Sequence, residues 1–326
     1  MKLLLIIGLL ATSMAFTQFA PSAGEVGTTA VHKDSSVFVD WAFEVVEFTR
    51  GPEDIENPDG LLASFGDSTA ALGPAEGTST DVVSLGDKGS ITLIFNFSIR
   101  NDDGPDFAVF ENSFSSDYLE LAHVEVSSDG DRFVRIPSIS NIPTDEQIET
   151  FGSTDATLIH NLSGKYRQGY GTPFDLEDIA DSTGIDLTDV NFVRIIDCVG
   201  SINPAFGTRD SEGTLINDPY KTDFESGGFD LDAVGVIHSN NPSLSINMEA
   251  ENVFSAYPNP TNGQLNIQFY GDLKELMLLD GTGRIIYRGN DISLDLRQMG
   301  LNAGTYFLHV VDMLYMVHQE RIIFLD

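Results

Sequence analysis

Apolar and polar residues alternate over short stretches along the chain, and Gly, Pro, Asn and Asp residues separate one stretch from the next. A period of two is typical of β-strands with one buried face, whereas a helix repeats its apolar positions every three or four residues. The clearest strands predicted in the larger part of the chain are residues 90–97, 106–112, 192–199 and 229–237, with a hairpin over 123–136. A helix is expected only at residues 173–180, where Thr172 would be the cap.

The last quarter of the chain shows the same pattern in shorter units. Its predicted strands are residues 265–269, 275–279, 284–287, 293–296, 305–310 and 321–325, and turn pairs such as Asn262-Gly263 and Asp280-Gly281 separate them. The pattern as a whole predicts an all-β protein. We expect a jelly-roll-like β-sandwich followed by a small immunoglobulin-like β-sandwich.

Three motifs lie in order in this last part of the chain. They are Tyr257-Pro258-Asn259-Pro260-Thr261-Asn262-Gly263, Leu279-Asp280-Gly281-Thr282-Gly283-Arg284 and Leu301-Asn302-Ala303-Gly304-Thr305-Tyr306-Phe307-Leu308. Together they resemble the type A C-terminal sorting domain of the type IX secretion system. The positions that carry the resemblance are Tyr257, Pro258, Asn259, Pro260, Gly263, Gly304 and Tyr306.

The resemblance implies partners and a destination. Type IX machinery would export the protein across the outer membrane, and a sortase-like peptidase would remove the tail. The protein would then stay on the outer-membrane surface or be released outside the cell. The alternative is an ordinary immunoglobulin-like tail that remains attached.

The first residues of the chain have the pattern of a secretory signal peptide. Lys2 precedes an apolar run, and a small-residue site ends at Ala15. The run is shorter than the ~20 residues that span a membrane, which disfavours an anchor. The predicted domains are therefore a signal peptide at 1–15, a β-sandwich cargo domain at 16–252 and a sorting domain at 253–326, with no transmembrane segment after the signal is removed.

Four short segments of the cargo domain suggest a second resemblance. They are Ala71-Leu72-Gly73-Pro74, Gly89-Ser90-Ile91-Thr92-Leu93, the hairpin over 124–133 and Phe229-Asp230-Leu231-Asp232-Ala233-Val234. In this order they resemble the jelly rolls of galactose-binding-like and carbohydrate-binding modules. The same segments also resemble uncharacterised bacterial cell-surface proteins.

Composition limits the possible partners. The chain holds 50 Asp and Glu against 17 Lys and Arg, for a net charge of −33, and residues 246–326 contribute only 10 acids and 5 bases to these totals. A domain this acidic is repelled by nucleic acids and by anionic lipid surfaces. Cys198 is the only cysteine, so no intramolecular disulfide can form, and its apolar surroundings predict a buried structural thiol.

Acidic residues on one predicted strand suggest a metal. Alternation places Asp230 and Asp232 on the same face, where their charges would repel each other unless a cation compensates. Calcium is the natural candidate because it takes six to eight oxygen ligands. The jelly-roll resemblance implies a structural calcium between such a strand and an earlier acid, here Asp106 or Glu111. Alternatively, these carboxylates are simply solvated.

A ligand site is expected in the segment 161–174. Tyr166 and Tyr170 would offer stacking faces, and Lys165 and Arg167 would supply charged donors. Alternatively, this segment is a long loop whose aromatic rings close over the core.

Patterns for catalysis are weak in this sequence. The six histidines show no zinc-protease spacing, and neither a GxSxG elbow nor a Gly-rich phosphate loop occurs, although paired carboxylates for glycoside hydrolysis stay open. We therefore expect a secreted, calcium-stabilised cell-surface binding protein for a glycan or other small ligand, rather than an enzyme. The alternatives are a calcium-dependent polysaccharide hydrolase, a structural or adhesive surface protein, and a capture protein for a corrinoid-like nutrient.

Overall fold

The computed structural model describes residues 18–241, 254–269, 273–281, 284–312 and 317–325. The chain divides into two compact units, Met1–Asn241 and Pro242–Asp326. The signal peptide predicted at 1–15 and the domain boundary predicted at 252/253 lie outside the described residues. As predicted, the protein is all-β, and the helical segments of the described residues are three short 3₁₀ turns, Ser68–Ala71, Ala156–Leu158 and Leu176–Ile179.

Thirteen strands lie within residues 18–241, the described part of the N-terminal unit. In chain order they are β1 (Val31–His32), β2 (Asp40–Trp41), β3 (Glu44–Thr49), β4 (Val83–Ser84), β5 (Ser90–Ile99), β6 (Phe107–Glu111), β7 (Ala122–Ser127), β8 (Val134–Arg135), β9 (Ile139–Ser140), β10 (Ile159–His160), β11 (Tyr170–Phe174), β12 (Val190–Asp197) and β13 (Asp230–Val236). One sheet has the order β1-β11-β6-β13-β2, with β4 also paired to β13, and the other has the order β3-β5-β12-β7-β8. Strands β9 and β10 form a separate pair.

The two large sheets share one hydrophobic core, which is the arrangement of a β-sandwich. Leu93 and Val193 come from one sheet, and Phe107 and Val234 come from the other, and all four belong to the same buried cluster. Alternation explains this arrangement, because every second side chain along a strand points to the same face. The strands predicted from periodicity supply more than half of this core, and connecting segments and short strands supply the rest.

A second, smaller core lies among the segments that connect the strands. It joins Leu121, Ile142, Ile159, Cys198 and Ile216. These segments run before β7, between β8 and β11, and between β12 and β13, where no regular strand pattern predicts structure. These segments nevertheless have a defined structure, and they carry Glu120, Phe151 and Asp218.

The helix predicted at 173–180 does not form. Residues up to Phe174 belong to β11, which pairs with β6, and only the 3₁₀ turn Leu176–Ile179 follows. Asp175 caps this turn by accepting a hydrogen bond from the Glu177 amide at 2.9 Å. The predicted cap, Thr172, lies inside the strand because strand pairing outweighed a weak local helix preference.

The C-terminal unit has seven strands in two sheets. They are β14 (Phe254–Tyr257), β15 (Gln264–Phe269), β16 (Leu273–Leu279), β17 (Ile285–Gly289), β18 (Ser293–Asp295), β19 (Gly304–Asp312) and β20 (Val317–Phe324). The sheet orders are β14-β15-β18 and β17-β16-β19-β20. Leu265, Leu276, Leu308 and Ile322 lie in the core of this unit.

Candidate functional site

The four residues predicted to bind a ligand do not share one surface. Tyr166 is only 1% exposed, and its hydroxyl lies 2.8 Å from the Thr29 hydroxyl, so its ring has no free face for stacking. The guanidinium of Arg167 covers the ring of Tyr170 at 4.9 Å from the centroid. Lys165 is buried, and its Nζ donates to the Ile159 carbonyl at 2.8 Å. Their role in ligand binding stays a prediction.

Lys165 lies in the wall of a cleft of about 390 Å³. The stacked rings of Phe19 and His160, with centroids 4.9 Å apart, also belong to this cleft. Burial lowers the pKa of Lys165 to about 8, and the Thr172 hydroxyl has no hydrogen-bond partner among the described residues. The cleft therefore contains a lysine whose charged form is destabilised by burial and a hydroxyl without a hydrogen-bond partner among the described residues.

The predicted metal ligand Asp106 is fully engaged within the protein. Its carboxylate accepts hydrogen bonds from the amides of Asp102 and Leu176 and lies 2.9 Å from Nδ1 of His238. Burial raises its pKa, although these partners oppose the shift. In this arrangement Asp106 holds the start of β6 against the segment that follows β11.

The other three predicted ligands lie around the β6–β13 pairing, where Glu111 is opposite Leu231. Asp232 accepts from the amides of Glu76 and Gly77, and Asp230 accepts from the side chains of Ser84 and Asn112. Burial, and then the Asp230 charge, raise the pKa of Glu111 well above its usual value. One oxygen of Glu111, Oε1, is buried without a partner among the described residues.

Four further buried acids line a small closed cavity, which we call the acidic cavity. They are Asp87, Glu120, Asp197 and Asp218. The cavity has a volume of about 10 Å³, which is about the room that one water molecule needs. Burial raises the pKa of Asp197 to about 8 and raises the pKa of both Glu120 and Asp218 well above the usual values.

A cluster of aromatic rings lies on the loops of the same unit, and it consists of two exposed rings, one half-buried ring and the buried ring of Tyr118. We call Phe114, Tyr118, Phe151 and Phe224 the aromatic patch. Phe114 stacks on Tyr118 at 4.7 Å, Tyr118 lies 6.2 Å from Phe151, and Phe151 is parallel to Phe224 at 6.4 Å. Phe114 is 63% exposed and Phe151 is 73% exposed. Exposed apolar patches of this kind mark binding surfaces.

An open groove of about 500 Å³ begins beside Phe151. Ile148, Gly152 and Ser153, which flank Phe151 in the sequence, line this groove. Its polar lining includes Asp145, Glu146, Gln147, Glu149, Asp155 and Asn217. The groove therefore combines carboxylate and amide groups with a neighbouring ring surface.

Of the acidic cavity, the sequence pattern singles out only Asp197, a carboxylate within the apolar run 192–199, and it does not indicate the other three acids or the aromatic patch. Phe114 and Phe151 are single aromatic residues in polar, irregular segments, without the alternation that marks a strand. Glu120 and Asp218 are 98 positions apart, yet the Leu121 amide donates to Asp218 at 2.9 Å. Phe114 lies between two Ser residues and Phe151 lies between Thr150 and Gly152, and these small or polar neighbours are only a weak signal for the patch.

In the C-terminal unit, the first sequence motif is bound to the last strand. The Asn259 side chain donates to the Arg321 carbonyl at 2.7 Å and accepts from the Ile323 amide at 2.9 Å. Thr261 is fully buried, and its amide donates to the carbonyl of Ile323. The Tyr306 hydroxyl donates to the Asn302 carbonyl at 2.7 Å. The first motif is therefore fixed to the last strand, and the Tyr306 hydroxyl closes the third motif on itself.

Residues 255–324 match the family described as the secretion system C-terminal sorting domain. The C-terminal unit is a type IX sorting domain. Its presence shows that the protein is exported to the cell surface or the extracellular space and that type IX machinery is its partner. No curated protein is significantly similar to the chain.

Two features are absent from the described part of the chain. No helix in it is long and apolar enough to cross a membrane. No group of three or more His, Cys, Asp or Glu side chains within it forms a ready-made metal site. The predicted calcium ion therefore stays a prediction, and the sorting domain is the part of the chain whose role is established.

Proposed function

We propose that the N-terminal unit is a non-catalytic binding module which the sorting domain delivers to the cell surface, and that it binds a neutral glycan on the aromatic patch. The observation that carries this proposal is the exposure of Phe114 and Phe151 in a strongly acidic unit. Stacked rings outside the core gain little from folding, whereas they offer flat apolar faces to a ligand ring.

The charge of the unit favours neutral ligands. Its excess of carboxylates would repel an anionic polysaccharide, while sugar hydroxyls can donate hydrogen bonds to carboxylate oxygens. The groove beside Phe151 provides such acceptors in Asp145, Glu146 and Glu149. A ligand that stacks on the Phe151 ring and extends into the groove would make both the apolar contact and the hydrogen bonds to these carboxylates.

The test is affinity electrophoresis of the full-length protein in gels that contain one neutral polysaccharide each, with an anionic polysaccharide and a free corrinoid as further competitors. We expect F151A and F114A each to weaken binding about tenfold, which corresponds to ~1.4 kcal/mol of lost contact. Because both rings are largely exposed, neither variant should lower the melting temperature appreciably.

F43A is the matched control. Phe43 is 46% exposed and lies outside the patch, so its removal should leave binding unchanged. Equal binding by F151A and the wild type would contradict the proposal. If the corrinoid bound to the aromatic patch and no polysaccharide did, the ligand would be a different flat molecule and the glycan proposal would be wrong.

A further inference from the structure

The acidic cavity gathers negative charge without a compensating cation in its wall. None of the residues in the wall is Lys, Arg or His. Besides the four acids, the wall consists of Cys198, Gly200, Pro219, Tyr220, Thr222 and Gly228. Burial raises the pKa of Asp87 to about 6 and outweighs Lys88 and Lys221, which lower it. Burying several carboxylates together is strongly unfavourable unless they are protonated or bind a cation.

One oxygen in this wall has no internal partner. Glu120 is 6% exposed, and the Tyr118 hydroxyl interacts with its carboxylate, but the Oε1 atom accepts no hydrogen bond from any described residue. Leaving a buried acceptor unpaired costs about 1–3 kcal/mol, and more when the group is charged. An unpaired buried carboxylate oxygen at a cavity of atomic size indicates a bound group that the protein does not itself supply.

The neighbouring aspartates also keep oxygens available. Asp218 uses Oδ2 to accept from the Leu121 amide, and Asp87 uses Oδ2 to accept from the Ile55 amide. Their Oδ1 atoms accept no hydrogen bond from the described residues. Asp197 differs, because its two oxygens accept from the amides of Lys88 and Phe229. These backbone hydrogen bonds fix the positions of the three aspartates at the cavity.

Two glycines allow the acids to approach the backbone closely. A Cβ atom at Gly200 would lie 1.7 Å from Oδ1 of Asp218, and a Cβ atom at Gly228 would lie 2.8 Å from Oδ1 of Asp197. Any larger residue at Gly200 would push the Asp218 carboxylate away. The space around these oxygens therefore depends on the absence of a side chain.

We propose that the acidic cavity is a calcium site in which Asp87, Glu120 and Asp218 are the direct ligands and Asp197 is the supporting carboxylate. Calcium accepts irregular sets of six to eight oxygens, which backbone carbonyls, the Thr222 hydroxyl and water would complete. The carboxylates must rotate toward the cavity, since no three acidic, His or Cys side chains in the described residues form a ready-made set. This proposal does not rest on glycan binding.

A hard cation suits this wall better than a soft one. Cys198 is the one sulfur-containing residue in the cavity wall, whereas four residues of the wall are carboxylates. Zinc prefers sites with several Cys or His ligands, whereas carboxylate oxygens are preferred by calcium. The protein should therefore respond to calcium and not to zinc.

The test follows unfolding of the N-terminal unit in the full-length protein. Trp41 is the only tryptophan, so its fluorescence reports on this unit alone. We expect calcium at 100 times its Kd to raise the free energy of unfolding by ~2.7 kcal/mol, and EDTA to reverse the effect. Terbium bound in the cavity should show luminescence sensitised by Tyr220, which calcium should displace.

The variants E120Q and D218N separate a cation site from a purely structural cluster. We expect each to bind calcium at least tenfold more weakly and, in EDTA, to be as stable as the wild type or more stable, since each removes a repelling charge. D210N is the control, because both oxygens of the buried Asp210 accept backbone amides and it does not line the cavity. D210N should keep the wild-type response to calcium.

Three results would overturn the calcium site. They are no effect of calcium or EDTA on the wild type, an unchanged calcium response in both cavity variants, and a response to zinc alone. If E120Q and D218N simply failed to fold, the calcium and terbium titrations of the wild type would still decide the question. Loss of the calcium response would leave the F151A test of glycan binding unaffected.

Discussion

Individual buried polar residues decide much of what this protein can do. Asp106 and Asp232 are buried with backbone amides as partners, whereas Glu111 and Glu120 are buried with one free oxygen each. All four are acids in a region of β-strands, and the sequence does not distinguish them. The partners that separate a structural carboxylate from a candidate ligand come from distant segments of the chain.

His123 provides a test of burial at this scale. Burial lowers its pKa from 6.5 to about 4, and its Nε2 lies 3.1 Å from the Arg209 carbonyl. The unfolded chain therefore binds a proton between pH 6.5 and 4 that the folded protein does not bind. His123 contributes stability above pH 6.5 that is lost as the pH falls through 4.

We expect the free energy of unfolding of H123Q to vary less than that of the wild type between pH 6.5 and 4, by up to ~3 kcal/mol. Urea titrations followed by Trp41 fluorescence at several pH values measure this difference. Other groups, including the acids of the cavity, titrate in both proteins, so their contributions cancel. Parallel curves for the two proteins would mean that His123 is not buried as a neutral side chain.

The elements were predictable where burial follows the strand period. The predicted segments 90–97, 106–112, 192–199 and 229–237 correspond to β5, β6, β12 and β13, because their apolar positions form the shared core. Short edge strands such as β1 and β8 have two residues each and no period to detect. The connecting segments were not predictable, since their structure depends on contacts with distant parts of the chain.

In the sorting domain, the Asn259 side chain helps to attach the first motif to the last strand. N259A should remove its three hydrogen bonds to β20 and destabilise the domain by about 1–3 kcal/mol. N302A is the matched control, because Tyr306 is bound through the carbonyl of Asn302 and not through its side chain. The fraction of protein that reaches the cell surface, measured by protease shaving, should fall for N259A only. Normal surface levels and normal stability for N259A would contradict this view of the motif.

At the scale of the whole molecule, the sequence identified the exported tail and the all-β class, but it did not locate a binding surface. The tail could be recognised because its turn motifs are local in sequence. The aromatic patch could not be recognised, because it joins Phe114, Phe151 and Phe224 from three irregular segments. The large negative charge belongs to the N-terminal unit as a whole. It disfavours anionic ligands, but it does not show where on the unit a ligand binds.

We propose that the segments around Phe114, Phe151 and Phe224 form the ligand-binding surface of an exported module. The decisive measurement is amide hydrogen exchange of the full-length protein with and without a saturating neutral polysaccharide. We expect increased protection in residues 112–118, 145–155 and 218–226 and no change in residues 160–178, which supply most of the wall of the Lys165 cleft. Protection confined to 160–178, or no protection with any polysaccharide, would contradict the proposal.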